Sequence, residues 1–134
     1  MTSKVTYQGN LRTLCTHQQS GNTFITDAPI DNNGKGEAFS PTDTVATALG
    51  SCMLTIMGIK AEQMSINMVE SYAEVTKTMA AEPRRIAAIA IDIHLPKEIE
   101  ERDRKILEKA AMTCPVYESL HPEMEKSINF MWTL

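Results

Sequence analysis

Apolar and polar residues change their spacing several times along the chain, and each change marks an element. Before Ala28 the runs VTYQG, LRTLCTH and NTFIT are short and rich in Thr, Val, Ile and aromatics. They are broken by Gly9-Asn10 and Ser20-Gly21-Asn22, the punctuation of a three-stranded β-meander. The Gly/Asn/Pro-rich stretch from Ala28 to Gly36 then separates strands from a helix. Ser40-Pro41-Thr42-Asp43 reads as that helix's start, with Ser40 as cap, Pro41 at the first helical position and Asp43 as the capping-box carboxylate. The helix should run to about Gln63. It is apolar nearly all round (Val45, Leu49, Met53, Ile56, Met57, Ile59), so other structure is expected to cover both of its sides.

Two strands, Ile66 to Thr78 and Ile86 to Leu95, are expected next as a hairpin turning at Ala81-Glu82-Pro83. In the second, Ile89, Ile91, Ile93 and Leu95 alternate with Ala90, Asp92 and His94, giving one buried face and one wetter face. Pro96 opens an amphipathic helix with an apolar stripe of Ile99, Ile106, Leu107, Ala110 and Ala111, which Cys114 continues. Pro115 starts a short helical segment, and Ile128, Phe130, Trp132 and Leu134 alternate as a last strand. The order β-β-β-α-β-β-α-α-β describes one α+β domain over residues 1–134.

With 134 residues, 43% of them hydrophobic and 22% charged, the chain is long enough to bury a core without disulfide staples. The net charge of -4 and the lack of a Lys/Arg cluster argue against nucleic acid or an anionic membrane surface as partner. Small molecules and other proteins fit better. The uncharged stretch between Asp43 and Lys60 holds 16 residues, about 24 Å of helix, short of a ~30 Å hydrocarbon core. No apolar segment at the polar N-terminus reads as a secretory signal, and three cysteines without a CxxC pair suit reduced thiols in the cytoplasm.

Cys52 lies on the helical stripe of Val45, Ala48, Leu49, Ile56 and Ile59 and reads either as a small buried hydrophobe or as a nucleophile. The second reading needs a cation to hold a thiolate, for which Arg12, Arg84 and Arg85 are the candidates. Cys114, just before Pro115, sits at the N-cap of the next turn, where free N–H groups favour an anion. Cys15 and His17 share a strand face and read as structural, with metal binding through a partner-chain group as a remote alternative. His94 and His121 lack a Ser or Cys partner at a recognisable spacing, and Gly34-Lys35-Gly36 lacks the phosphate-loop pattern.

Two motifs, FSPTDTVATALGSCM and TCPVYESLHP, occur in this order, their cysteines at positions 52 and 114. Together they resemble the family of osmotically inducible protein C and organic hydroperoxide resistance proteins, from about Tyr7 to the C-terminus. The resemblance implies an intertwined homodimer, its sheets wrapped around two central helices and its active sites at the subunit interface. It further implies a thiol peroxidase acting on small apolar organic hydroperoxides. On that resemblance Cys52 would form a sulfenic acid, Cys114 would condense with it to a disulfide, and a dithiol reductant would complete the cycle. Neither metal nor organic cofactor is required. The family's thiolate-stabilising arginine maps onto Arg12. Where the family's peroxidases commonly have a Glu ten residues before the helix cysteine, this chain has Thr42, and Asp43 or Glu37 are the candidate replacements. The Pro-Thr-Asp form of the motif resembles a less-characterised branch, for which a non-catalytic or redox-responsive small-molecule binding protein is the second expectation.

Overall fold

A computed structural model describes residues 1–134. The elements are β1 (Ser3–Gly9), β2 (Arg12–His17), β3 (Thr23–Asp27), a 3-10 turn (Ile30–Asn32), α1 (Pro41–Gln63), β4 (Tyr72–Ala80), β5 (Arg85–Leu95), α2 (Glu101–Ala111), α3 (Pro115–Ser119) and β6 (Glu125–Trp132). This is the expected α+β order with one added 3-10 turn. The chain packs as two compact units, Met1–Val45 and Ala46–Leu134.

In the first unit β1, β2 and β3 form an antiparallel sheet in sequence order. The β1–β2 connection runs through three consecutive left-handed residues, Gly9, Asn10 and Leu11, where glycine at the first removes the steric penalty. Across the strands Val5 pairs with Cys15 and Cys15 with Phe24, so these three share one face. Val5 is 61% and Phe24 50% exposed, leaving that face open within the chain.

The start of α1 follows its local code. Asp43 N–H donates to Ser40 Oγ at 3.0 Å and Ser40 N–H donates to Asp43 Oδ2 at 2.9 Å, a reciprocal capping box. The helix has 23 residues, about 34 Å at 1.5 Å per residue, and is the one helix long and apolar enough to cross a bilayer. The 16-residue estimate therefore falls short because Asp43 and Lys60 lie inside the helix. One face of α1, formed by Ala46, Leu49, Gly50, Met53, Met57 and Ala61, is buried, while Val45 and Ile59 remain exposed. The chain itself thus covers one side of this helix and leaves the other uncovered.

The second unit is built on the sheet β4-β5-β6, with β5 central, antiparallel to β4 and parallel to β6. Ile89, Ile91, Ile93 and Leu95 of β5 are all inaccessible, as their alternation requires. They join Leu49, Met53 and Met57 of α1, and Leu107 and Ala111 of α2, in one core cluster. On the opposite face of the sheet Asn129 donates to Asp92 at 2.8 Å and His94 Nε2 lies 3.0 Å from Glu74. A Cβ on Gly50 would meet Val75, Ala73 and Ile91, so α1 approaches β4 and β5 through bare backbone.

Two boundaries differ from the sequence expectation. The first strand of the hairpin starts at Tyr72 instead of Ile66, because Ser65 and Glu70 adopt positive φ and break the ladder. Ile66 and Met68 still pack on the core from this irregular segment. The helix expected from Pro96 begins at Glu101. Residues 96–100 are held irregular by the Arg104 guanidinium, which donates to the carbonyls of Ile99 and Lys97. The α2 stripe narrows accordingly to Leu107 and Ala111, with Ile106 exposed and Ile99 packing from outside the helix.

Ser40 is 2% exposed, so removing its hydroxyl leaves an N–H without its acceptor at the helix start. Ser40→Ala is expected to lower unfolding stability by about 1 kcal/mol, read as a reduced urea midpoint at unchanged slope.

Candidate functional site: a paired thiol and a carboxylate-clamped arginine

Cys52 is the middle residue of α1, eleven residues from either end, so neither terminus of the helix dipole acts on it. Its side chain is half-buried and packs against the core cluster. Cys114 follows the end of α2 and caps α3, with its sulfur accepting the Tyr117 N–H at 3.3 Å. That much is local: proline at the first position of α3 leaves the cap residue extended, and its side chain turns back over the first turn.

The sulfur of Cys114 is inaccessible to water. Burial is the largest influence on it and pushes its pKa above the ordinary thiol value, against the Tyr117 N–H, which favours the thiolate. The sequence reading had the helix start favouring an anion here. That contribution is present, but the loss of hydration outweighs it. Cys52 is the next influence and acts in the same direction as burial. The two thiols, 62 positions apart in sequence, are therefore neighbours, and both are free.

In the first unit Arg12 makes a bidentate pair with Asp27, Nε to Oδ1 at 2.7 Å and Nη2 to Oδ2 at 2.8 Å. Its Nη2 also donates to Glu37 Oε2 at 3.3 Å. Asp27 is 3% exposed, and the hydrogen bond from Arg12 holds its carboxyl below the usual range. The guanidinium pKa is raised by the same bond. Glu37, a candidate carboxylate, thus meets Arg12, whereas Asp43 serves in the capping box. Thr42 hydroxyl lies 3.2 Å from Ser40 Oγ.

Asp27 is the residue that the sequence reading missed. The signal was available: pairing LRTLCTH with NTFIT around the Ser20-Gly21-Asn22 turn sets Arg12 directly opposite Asp27.

The remaining candidates have local roles. Arg85 donates to the carbonyls of Ala81 and Pro83 at the hairpin turn. His17 Nδ1 lies 2.7 Å from Ser20 Oγ, and His121 Nδ1 accepts the Glu123 N–H. His94 stacks on Tyr72 with ring centroids 4.4 Å apart. No group of three or more His, Cys, Asp or Glu side chains is arranged to hold a metal ion, and Cys15 lies beside Thr13 in the sheet.

Comparison with known proteins identifies the class to which this α+β chain belongs. The family described as OsmC-like protein matches residues 34–129, so the chain belongs to the OsmC-like family. A Psychrobacter arcticus protein, named for osmotic stress induction and detoxification response, is 55% identical, with a TM-score of 0.94 over 97% of this chain and 95% of that one. Organic hydroperoxide resistance proteins of Legionella pneumophila and Vibrio cholerae, each 14% identical, share the fold at a TM-score of 0.75. The first comparison covers 96% of this chain and 94% of that one, the second 100% and 93%. Among curated proteins none matches.

The raised pKa of Cys114 fixes the sign of one alkaline effect. Below the ordinary thiol value of ~8.5 both folded and unfolded chains hold the proton, and the group contributes no slope. Above it the unfolded chain releases its proton first, so stability falls with rising pH until the folded thiol also ionises. Reduced wild type is expected to lose stability more steeply between pH 8 and 10 than Cys114→Ala, in denaturant titrations at successive pH values.

Proposed function

We propose that this chain is a cysteine-based peroxidase that reduces organic hydroperoxides. The observation that carries the reading is the adjacency of the Cys52 and Cys114 side chains, one half-exposed and one buried with its proton retained. The Cys52 thiolate attacks the outer oxygen of the hydroperoxide, the O–O bond breaks, and the leaving alkoxide takes a proton to become the alcohol. Cys52 is then a sulfenic acid. Cys114 sulfur attacks it, the S–O bond breaks, water leaves with the Cys114 proton, and the Cys52–Cys114 disulfide forms. An external dithiol in a reducing cytoplasm restores both thiols by exchange. Neither metal nor organic cofactor enters this sequence. The half-buried apolar setting of Cys52 favours alkyl hydroperoxides over hydrogen peroxide.

In this reading Arg12 is the cation that stabilises the Cys52 thiolate, as the family resemblance implies, and Asp27 and Glu37 hold its guanidinium. The active unit is a homodimer. The exposed apolar positions Val45 and Ile59 of α1, and Val5, Tyr7 and Phe24 of the first sheet, support a second copy as their cover. The names of the Legionella and Vibrio proteins, and the captopril bound in one active site of the latter, support a hydroperoxide or similar small ligand at the corresponding place.

One observation favours the second reading, a redox-responsive or non-catalytic binding protein. Two carboxylates, Asp27 and Glu37, share the one Arg12 guanidinium, which weakens its pull on a thiolate.

Mixing the reduced protein with a slight excess of cumene hydroperoxide separates the two. Peroxide loss with a 2 Da fall in intact mass, about one disulfide, supports the peroxidase. Cys52→Ser is expected to reduce peroxide loss to the uncatalysed rate, and Cys114→Ser to stall at sulfenic or over-oxidised forms. Absence of peroxide consumption, with a Cys52 pKa near ~8.5 or higher, favours the binding protein.

A further inference from the structure

The geometry points to Gly50 as the residue that positions Cys52 for its meeting with Cys114; the inference rests on the disulfide step proposed above. α1 holds two glycines in its interior, Gly50 and Gly58, where glycine is a poor helix former. Their surroundings differ. A Cβ on Gly58 would meet nothing within 4 Å. A Cβ on Gly50 would lie 2.9 Å from Val75 Cγ2, 3.6 Å from Ala73 Cβ and 3.9 Å from Ile91 Cδ1. The first of these is closer than carbon atoms pack, so something must give.

Little there is free to move. Val75 is branched at Cβ and stiff about χ1, and its strand is paired to the central strand with Val75 opposite Ile91. Gly50 is itself buried, and Leu49 and Met53 on either side of it are inaccessible. Relief must therefore come from α1 moving off the sheet. Cys52 is two residues further along the same rigid helix and moves with it. Cys114 does not, because its place is set by the α3 cap and by its burial in the core. A disulfide tolerates only a narrow range of separations and dihedral angles, so a displacement of α1 falls on the sulfur pair. Absence of one Cβ at position 50 thus fixes the depth of the helix at which the two sulfurs can bond.

Thiol–disulfide equilibrium reads this role without using peroxide. The reduced protein exchanges with oxidised glutathione: the two protein sulfurs join, and their two hydrogens leave on two molecules of reduced glutathione. Wild type, Gly50→Ala, Gly58→Ala, Val75→Ala and Gly50→Ala/Val75→Ala are equilibrated over a series of glutathione ratios, acid-quenched and alkylated. The fraction of Cys52–Cys114 disulfide is then measured by peptide mass, with thermal unfolding alongside. Gly50→Ala is expected to lower the equilibrium constant at least tenfold, about 30 mV for this two-electron couple. Gly58→Ala should keep the wild-type constant, and the double variant should return to that of Val75→Ala. A Gly50→Ala constant equal to wild type overturns the inference, as does an equal fall in Gly58→Ala or a double variant that stays tenfold below Val75→Ala. If Gly50→Ala does not fold, the double variant against Val75→Ala decides by the same criterion. Wild type that forms no such disulfide at any ratio overturns this inference together with the proposed disulfide step. Wild type that forms it yet consumes no peroxide sinks the peroxidase reading alone.

Discussion

Removing one sulfur from water while leaving its neighbour half-exposed is the constraint on which the proposed chemistry depends. Burial holds Cys114 in its neutral form, although the N–H groups of α3 would stabilise a charge there. The two sulfurs are thereby made unequal in their exposure. Inequality is what the proposed two-thiol cycle needs: one sulfur that a substrate can reach and one held back in the core. The core cluster of β5, α1 and α2 is therefore more than ballast for the fold. It supplies the dry surroundings that hold Cys114 neutral.

The arginine cluster obeys a different logic. Asp27 is nearly inaccessible, and a lone buried carboxylate is unfavourable, so Arg12 is as much the partner that makes Asp27 tolerable as a cation in waiting. Glu37, 64% exposed on the loop, adds a contact weakened by solvent. An arginine fixed by the buried carboxylate and only lightly held by the exposed one keeps a defined orientation while its net field stays small.

Much of this was legible because the deciding interactions are local. Ser40, Pro41 and Asp43 announce the start of α1 within four residues, and the isoleucines of β5 declare their buried face by alternation alone. Cys114 before Pro115 reads as a cap for the same reason. What escaped reading depends on contacts between distant segments. The onset of β4 is displaced by the left-handed residues Ser65 and Glu70, whose side chains give little warning. Pro96 suggested a helix start, but Arg104 draws the following carbonyls into another arrangement. Asp27 was overlooked because its importance appears only once strand register is known, and the burial that outweighs the α3 cap at Cys114 belongs to the packed core.

The Tyr117 hydrogen bond has a consequence of its own. Its amide proton points at a sulfur whose chemical state changes if the thiol becomes a disulfide, and sulfur is a soft, weak acceptor in either form. The resonance frequency of that amide, and the speed with which it trades its hydrogen for deuterium, therefore form a native gauge of the oxidation state of Cys114. The five-residue helix α3 carries this gauge without any attached label.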